Sequence, residues 1–171
     1  LNKRQLCEIY GKEICFIMQN PMTAFNPSIR IGKQLERSCL HHNPEARRTE
    51  TRKRYETILN GLGLDDTERI WGNYPFELSG GMLQRLMIAV AIIQEPKLLV
   101  ADEATTAIDA CNRMELMQQM KKLCGQGMSV LFVTHDLKAA SVSDWIMIMN
   151  HGRVVETGQT DMVMNSPRNE F

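Results

Sequence analysis

The sequence predicts an α/β fold built on a parallel β-sheet, and three observations predict it. Residues 97–101 (KLLVA) form a continuous apolar run, and Ser129–Val133 (SVLFV) forms another. Between them, Ala110–Cys124 carries Met114, Met117 and Met120 at three-residue intervals before Gly125 and Gly127 break the pattern. A strand, a helix and a second strand, with both strands apolar on both faces, make a parallel βαβ unit with a right-handed crossover.

The remaining elements follow in order. Residues 13–19 (EICFIMQ) are a short apolar run bounded by Gly11 and Pro21, the pattern of a buried strand. Two Asn-Pro pairs mark residues 20–27 as a loop. A polar, helix-rich region spans about 31–71. Its clearest helix starts at Pro44-Glu45, where a fixed φ and an early carboxylate suit an N-terminus, and ends at Gly61-Leu62-Gly63. Ser79-Gly80-Gly81 opens the next helix, along which Leu83, Leu86, Met87, Val90 and Ile93 repeat at helical spacing until Pro96 stops it. Residues 136–143 read as a short helix. Residues 145–149 and 153–157 read as two strands joined by a turn at Asn150-His151-Gly152.

The 171 residues are a one-domain length, and the 43% that are hydrophobic suffice for one sizeable core. Twenty Lys and Arg balance twenty Asp and Glu, which gives no electrostatic basis for bulk binding of nucleic acid. No apolar run reaches the ~18 residues of a membrane span, so association with a membrane would go through a partner. The cysteines (Cys7, Cys15, Cys39, Cys111 and Cys124) are odd in number and scattered, which suits a reducing cytosol better than a disulfide framework. The first stretch, starting at Leu1 with no signal peptide, reads as the middle of a domain.

In an open parallel sheet, ligands gather at the carboxyl ends of the strands. Three strands here end in polar residues: Gln19, then Asp102-Glu103, then Thr134-His135-Asp136. If the strands are parallel neighbours, all three sets share one edge. Asp102 and Glu103 are successive, so their side chains point opposite ways and serve different ends. A hard carboxylate at a strand end suits Mg²⁺, usually through its water. A second carboxylate can orient or deprotonate an attacking water. His135 can donate to a γ-phosphate, and Gln19 can touch the metal or the water. Ser79 can cap its helix, while the two glycines let a ligand approach the backbone and the helix N-terminus favours an anion. Each feature alone also fits a solvent-facing strand end or an ordinary Ser cap.

Together the segments resemble the ABC ATPase family, from about Tyr10 to Arg168. Leu78-Ser79-Gly80-Gly81-Met82, continued by Leu83-Gln84-Arg85, is similar to the family signature motif. Leu98-Leu99-Val100-Ala101-Asp102-Glu103 is similar to Walker B with its catalytic glutamate. Ala107-Ile108-Asp109 resembles the D-loop, His135 the switch histidine and Gln19 the Q-loop glutamine. Residues 19–27 (QNPMTAFNP) with Ile31-Gly32 resemble the dipeptide, oligopeptide and nickel importer branch, and residues 74–85 (YPFELSGGMLQR) resemble nickel-import ATP-binding subunits most.

The resemblance implies a P-loop NTPase-type parallel sheet core, incomplete here, with an inserted helical subdomain over about 31–78 and partial core segments at 1–30 and 79–171. It implies ATP and Mg²⁺ as cofactors. Glu103 would be the general base, Asp102 would serve Mg²⁺, and Gln19 and His135 would assist. Ser79, Gly80, Gly81 and Met82 would contact the nucleotide held by a partner, and Asp109 would bridge the two subunits. The implied partners are a second ABC ATPase subunit, with a related heterodimer favoured, two membrane permease subunits and, indirectly, an extracytoplasmic binding protein. A coupling helix of the permease would dock on the loop after Gln19, including Met22 and Phe25. The location would be peripheral, at the cytoplasmic face of the inner membrane. Nickel or peptides would be the cargo.

The sequence departs from the family pattern in one large respect. No G-x-x-x-x-G-K-[ST] loop occurs in it, and Gly11-Lys12 lacks the preceding glycines. The expectation is an N-terminally truncated chain, inactive alone. The alternatives are a non-catalytic remnant of such a subunit and, less favoured, a DNA-repair ABC ATPase, whose coiled coil is missing between Gln19 and Ser79. Ala104 and Ile108 replace the family's usual proline and leucine. The Arg47, Arg48, Arg52, Lys53 and Arg54 cluster interleaves with glutamates and reads as a solvated helix face. His41-His42 point apart on a helix and do not read as a metal site.

Overall fold

The computed structural model describes residues 2, 9–42, 45–103, 110–124 and 127–168. Strand β1 (Ile14–Ile17) leads through a one-turn 3₁₀ segment at Pro21–Thr23 into three helices, α1 (Ile31–His42), α2 (Arg48–Gly61) and α3 (Thr67–Gly72). A second 3₁₀ turn, Pro75–Glu77, precedes α4 (Gly80–Ile92). Then come β2 (Leu98–Asp102), α5 (Ala110–Cys124), β3 (Ser129–Val133), α6 (Leu137–Ala140), β4 (Trp145–Asn150), β5 (Arg153–Gln159) and α7 (Thr160–Asn165).

The predicted βαβ unit is present, and its strands run parallel. The three-stranded sheet has the order β1-β2-β3, with both pairings parallel. Phe16, Val100 and Leu131 share one row across it, and Ile17, Ala101 and Phe132 share the next. β4 and β5 form a separate antiparallel pair with a register shift at Ile148/Met149. Their turn places His151 and Gly152 at positive φ, as a two-residue hairpin connection requires.

The core lies on one face of the parallel sheet. Cys15, Ile17, Leu99 and Ala101 are buried there with Leu83, Leu86, Ile88 and Ala89 of α4. α4 packs on β1, on the first 3₁₀ turn and on α1 and α2, so it joins the helical region to the sheet. The opposite face differs from the expectation of strands covered on both sides. Phe16 and Leu131 are 55% and 54% exposed, and Met18 and Val133 are exposed beside them. Apolar residues on both sides of a strand mark a face that is able to be buried; only packing decides whether it is.

Among the helices, α1 and α3 approach so closely at Gly32 that a Cβ there would overlap the Trp71 ring. α2 starts at Arg48 and not at Pro44-Glu45; Glu45 lies in a turn, Arg47 is the extended N-cap, and Pro44 is outside the described residues. The first helical bond runs from Thr51 N to Arg47 O, and buried Thr51 also contacts Cys39 of α1 through its hydroxyl. α6 is shorter than predicted, with Asp136 as its N-cap.

Candidate functional site

Parallel pairing in register carries the ends of β1, β2 and β3 to one edge, and there Gln19, Glu103 and His135 meet. Glu103 follows the last residue of β2 and continues the ladder, its N–H donating to Val133 O at 2.9 Å. Its φ is +46°, a left-handed conformation that a residue with a Cβ adopts only when its surroundings enforce it. One carboxylate oxygen, Oε2, accepts from Gln19 Nε2 at 2.6 Å. The other, Oε1, lies 3.0 Å from His135 Nδ1. An ionised carboxylate only accepts, so a neutral His135 in this contact carries its proton on Nδ1. The Glu103 side chain is 28% exposed and the His135 side chain 76%. The arrangement is a carboxylate oriented by two flanking donors, which is the form a base needs to face a water molecule.

Asp102 ends β2 one residue earlier, opposite Val133, and is exposed. Its carboxylate and the remaining amide oxygen of Gln19 are hard oxygens of the kind Mg²⁺ takes. Among the described residues, no group of three or more His, Cys, Asp or Glu side chains is arranged to hold a metal ion. The two oxygens named fit Mg²⁺ by their chemistry, since that ion keeps several waters and takes further oxygens from phosphates.

Ser79 forms a second unit. It is the N-cap of α4, with extended backbone, and its Oγ accepts from Met82 N at 3.3 Å. Its carbonyl accepts from Leu83 N at 3.0 Å. The hydroxyl proton remains as a donor. Gly80 and Gly81 form the first turn, whose free N–H groups and helix dipole favour an anion. The turn before it is fixed by Tyr74 N donating to Glu77 Oε2 at 2.7 Å. Asp109, with Ala107 and Ile108, lies outside the described residues.

Sequence reasoning missed one participant. Arg113 of α5 forms an ion pair with Asp136, the residue after His135. The Arg113 hydrogen bond is the main reason the Asp136 carboxyl sits below its ordinary pKa, with the N–H groups of Ala139 and Lys138 adding to it. Two residues 23 apart, on a helix and a turn, leave no pattern in a sequence.

Comparison with known proteins bears on what this edge does. Residues 2–106 match the family model described as ABC transporter. The chain is 40% identical over 171 residues to the probable D,D-dipeptide transport ATP-binding protein DdpD of Escherichia coli (strain K12), covering 99% of this chain and 52% of that protein. It is 37% identical over 173 residues to the oligopeptide transport ATP-binding protein OppD of Bacillus subtilis (strain 168), covering 100% of this chain and 48% of that protein. The chain thus spans about half the length of these relatives. Among solved structures, the ATP-binding cassette MJ0796, as a dimer in a post-hydrolysis state bound to ADP and Pi, superposes with a TM-score of 0.82 at 28% identity. That match covers 94% of this chain and 68% of that one.

Proposed function

The chain belongs to the ABC transporter family, and from that premise we propose that it serves as part of an ATP-hydrolysing subunit that energises a peptide importer. The observation that carries this reading is the joining of Gln19, Glu103 and His135 at one strand edge. Glu103 is the general base: it takes a proton from the attacking water, and the donors on its two oxygens hold its orientation. Asp102 and the Gln19 amide oxygen serve Mg²⁺, which neutralises phosphate charge when bound. Ser79, Gly80, Gly81 and Met82 face the nucleotide held by a second, related ATPase subunit, and the role that the family resemblance gives Asp109 is to bridge the two. Residues 31–78 act as the helical subdomain, inserted between core segments 1–30 and 79–171.

The relatives' names support peptides as the cargo class. The similarity of residues 74–85 to nickel-import subunits favours nickel as a second reading. Uptake assays in cells lacking the gene separate the two, since loss of nickel uptake with peptide uptake intact sinks the peptide reading. Among the described residues, no helix is long and apolar enough to cross a membrane. On this reading two permease subunits hold the chain at the cytoplasmic face of the membrane, and the exposed Met22 beside buried Phe25 offers them a contact. The binding protein acts only through those permeases.

The 171 residues contain no G-x-x-x-x-G-K-[ST] loop, so on this reading they do not hydrolyse ATP alone. The test is Mg-ATP turnover with and without that loop. The chain alone is expected to give none; fused behind a strand, a G-x-x-x-x-G-K-[ST] loop and a helix of the family pattern, it is expected to turn over. Turnover by the chain alone contradicts the dependence on the loop. A folded fusion without turnover favours the non-catalytic reading.

A further inference from the structure

His135 is the least supported member of the site. Its side chain is mostly exposed, and its one side-chain hydrogen bond among the described residues is the contact with Glu103. A ring with so little packing around it stays in reach of its partner only if its backbone is held. The backbone here is held through Asp136. Its N–H donates to Thr134 Oγ1 at 3.0 Å, which tightens the turn around His135. Its Oδ1 accepts from Lys138 N at 2.8 Å and from Ala139 N at 3.3 Å, which caps α6. Its Oδ2 receives the Arg113 guanidinium.

Arg113 stands in the first turn of α5, a helix packed against both β3 and α6. The Arg113 and Asp136 side chains are each only 25% exposed, so salt screens this pair less than it would a pair in open solvent. A charge-assisted hydrogen bond is also directional. It therefore fixes where the turn lies as well as that it lies near α5.

We propose that Arg113 and Asp136 are positioning residues for His135: their ion pair pins the 134–136 turn to α5 and so keeps the imidazole within hydrogen-bond reach of Glu103. This rests on the reading of Glu103 and His135 as parts of an ATP site.

The experiment reads the tautomer of His135 by long-range proton–nitrogen spectra of the 171-residue chain, without nucleotide, at a pH where imidazoles are neutral. His135→Gln assigns the signal, and exposed His151 is the internal reference. The native chain is expected to hold His135 mainly as the Nδ1–H form. Arg113→Ala and Asp136→Asn are expected to shift its tautomer ratio towards that of His151 by about two- to fivefold, the range a surface ion pair commands. Arg113→Lys, which keeps the charge, is expected to restore part of the shift. A native ratio in Arg113→Ala with the helical circular dichroism intact overturns the proposal. If Arg113→Ala loses helix, Asp136→Asn decides, because it keeps the Oδ1 acceptor of the cap; a native ratio there overturns the proposal equally. A failure of the looped fusion to turn over ATP would count against the ATP reading and leave this ratio unaffected.

Discussion

The helical region and the parallel sheet bury apolar surface in different ways. In the helical region, Ile31, Leu35, Tyr55, Leu59 and Ile70 are all but fully enclosed, and the helices enclose one another. In the parallel sheet the described residues cover one face, although the strands are apolar on both, and in the separate β4–β5 pair Trp145, Met147 and Met149 are exposed. The candidate base lies at the carboxyl edge of this half-covered sheet. Parallel sheets in folded proteins are ordinarily covered on both faces. The comparison therefore separates residues that hold this chain together from residues whose burial depends on what else contacts it.

Truncation should affect the two regions unequally. Leu59→Ala removes a fully buried side chain and is expected to destabilise the chain by about 2–5 kcal/mol. Leu131→Ala, on the open sheet face, should change stability by no more than about 0.5 kcal/mol. Urea midpoints measure both, and equal losses would break the comparison. A smaller effect sharpens it from inside the helical region. Gly32→Ala forces the Trp71 ring to move and should cost about 1–3 kcal/mol, since overpacking a close helix contact strains both helices. An unchanged midpoint would show that α3 adjusts freely.

The smallest effect belongs to the sheet edge and depends on pH. Arg113, ahead of the backbone N–H groups, holds the Asp136 carboxyl below its ordinary value. A depressed carboxylate contributes stability that is present above its unfolded pKa of about 3.9 and is lost as pH falls towards the folded value. Arg113→Ala should therefore lower the urea midpoint more at about pH 7 than at about pH 3. A gap of the same size at both pH values would mean that the ion pair contributes nothing through its ionisation.

The difference between the regions also explains what was readable in the sequence. The end of Ala110–Cys124 and the run Ser129–Val133 could be read, because Gly125 and Gly127 separate a helical period from an apolar strand. The meeting of Gln19, Glu103 and His135 follows from three strand ends once the strands are parallel neighbours. Ser79 as the cap of α4 follows from its residue type and the glycines after it. The start of α2 at Arg48 could not be read, because its N-cap Arg47 makes no side-chain cap hydrogen bond and so carries no residue-type signal, while Glu45 of the Pro-Glu pair lies in a turn. The exposure of Leu131 and Val133 could not be read, because apolar residues on both faces do not say which face is covered. Nor could the Arg113–Asp136 pair, which exists only once α5 and α6 pack.

The measurement that bears most directly on the role of this edge is single-turnover hydrolysis of Mg-ATP by the looped fusion, before and after Glu103→Gln. The amide keeps the size of the side chain and its contact with Gln19 or His135, but it cannot take a proton. The rate should fall by about 10²–10⁴-fold, the contribution of a positioned general base. A fusion whose rate is unchanged by Glu103→Gln would contradict the assignment of Glu103 as the base.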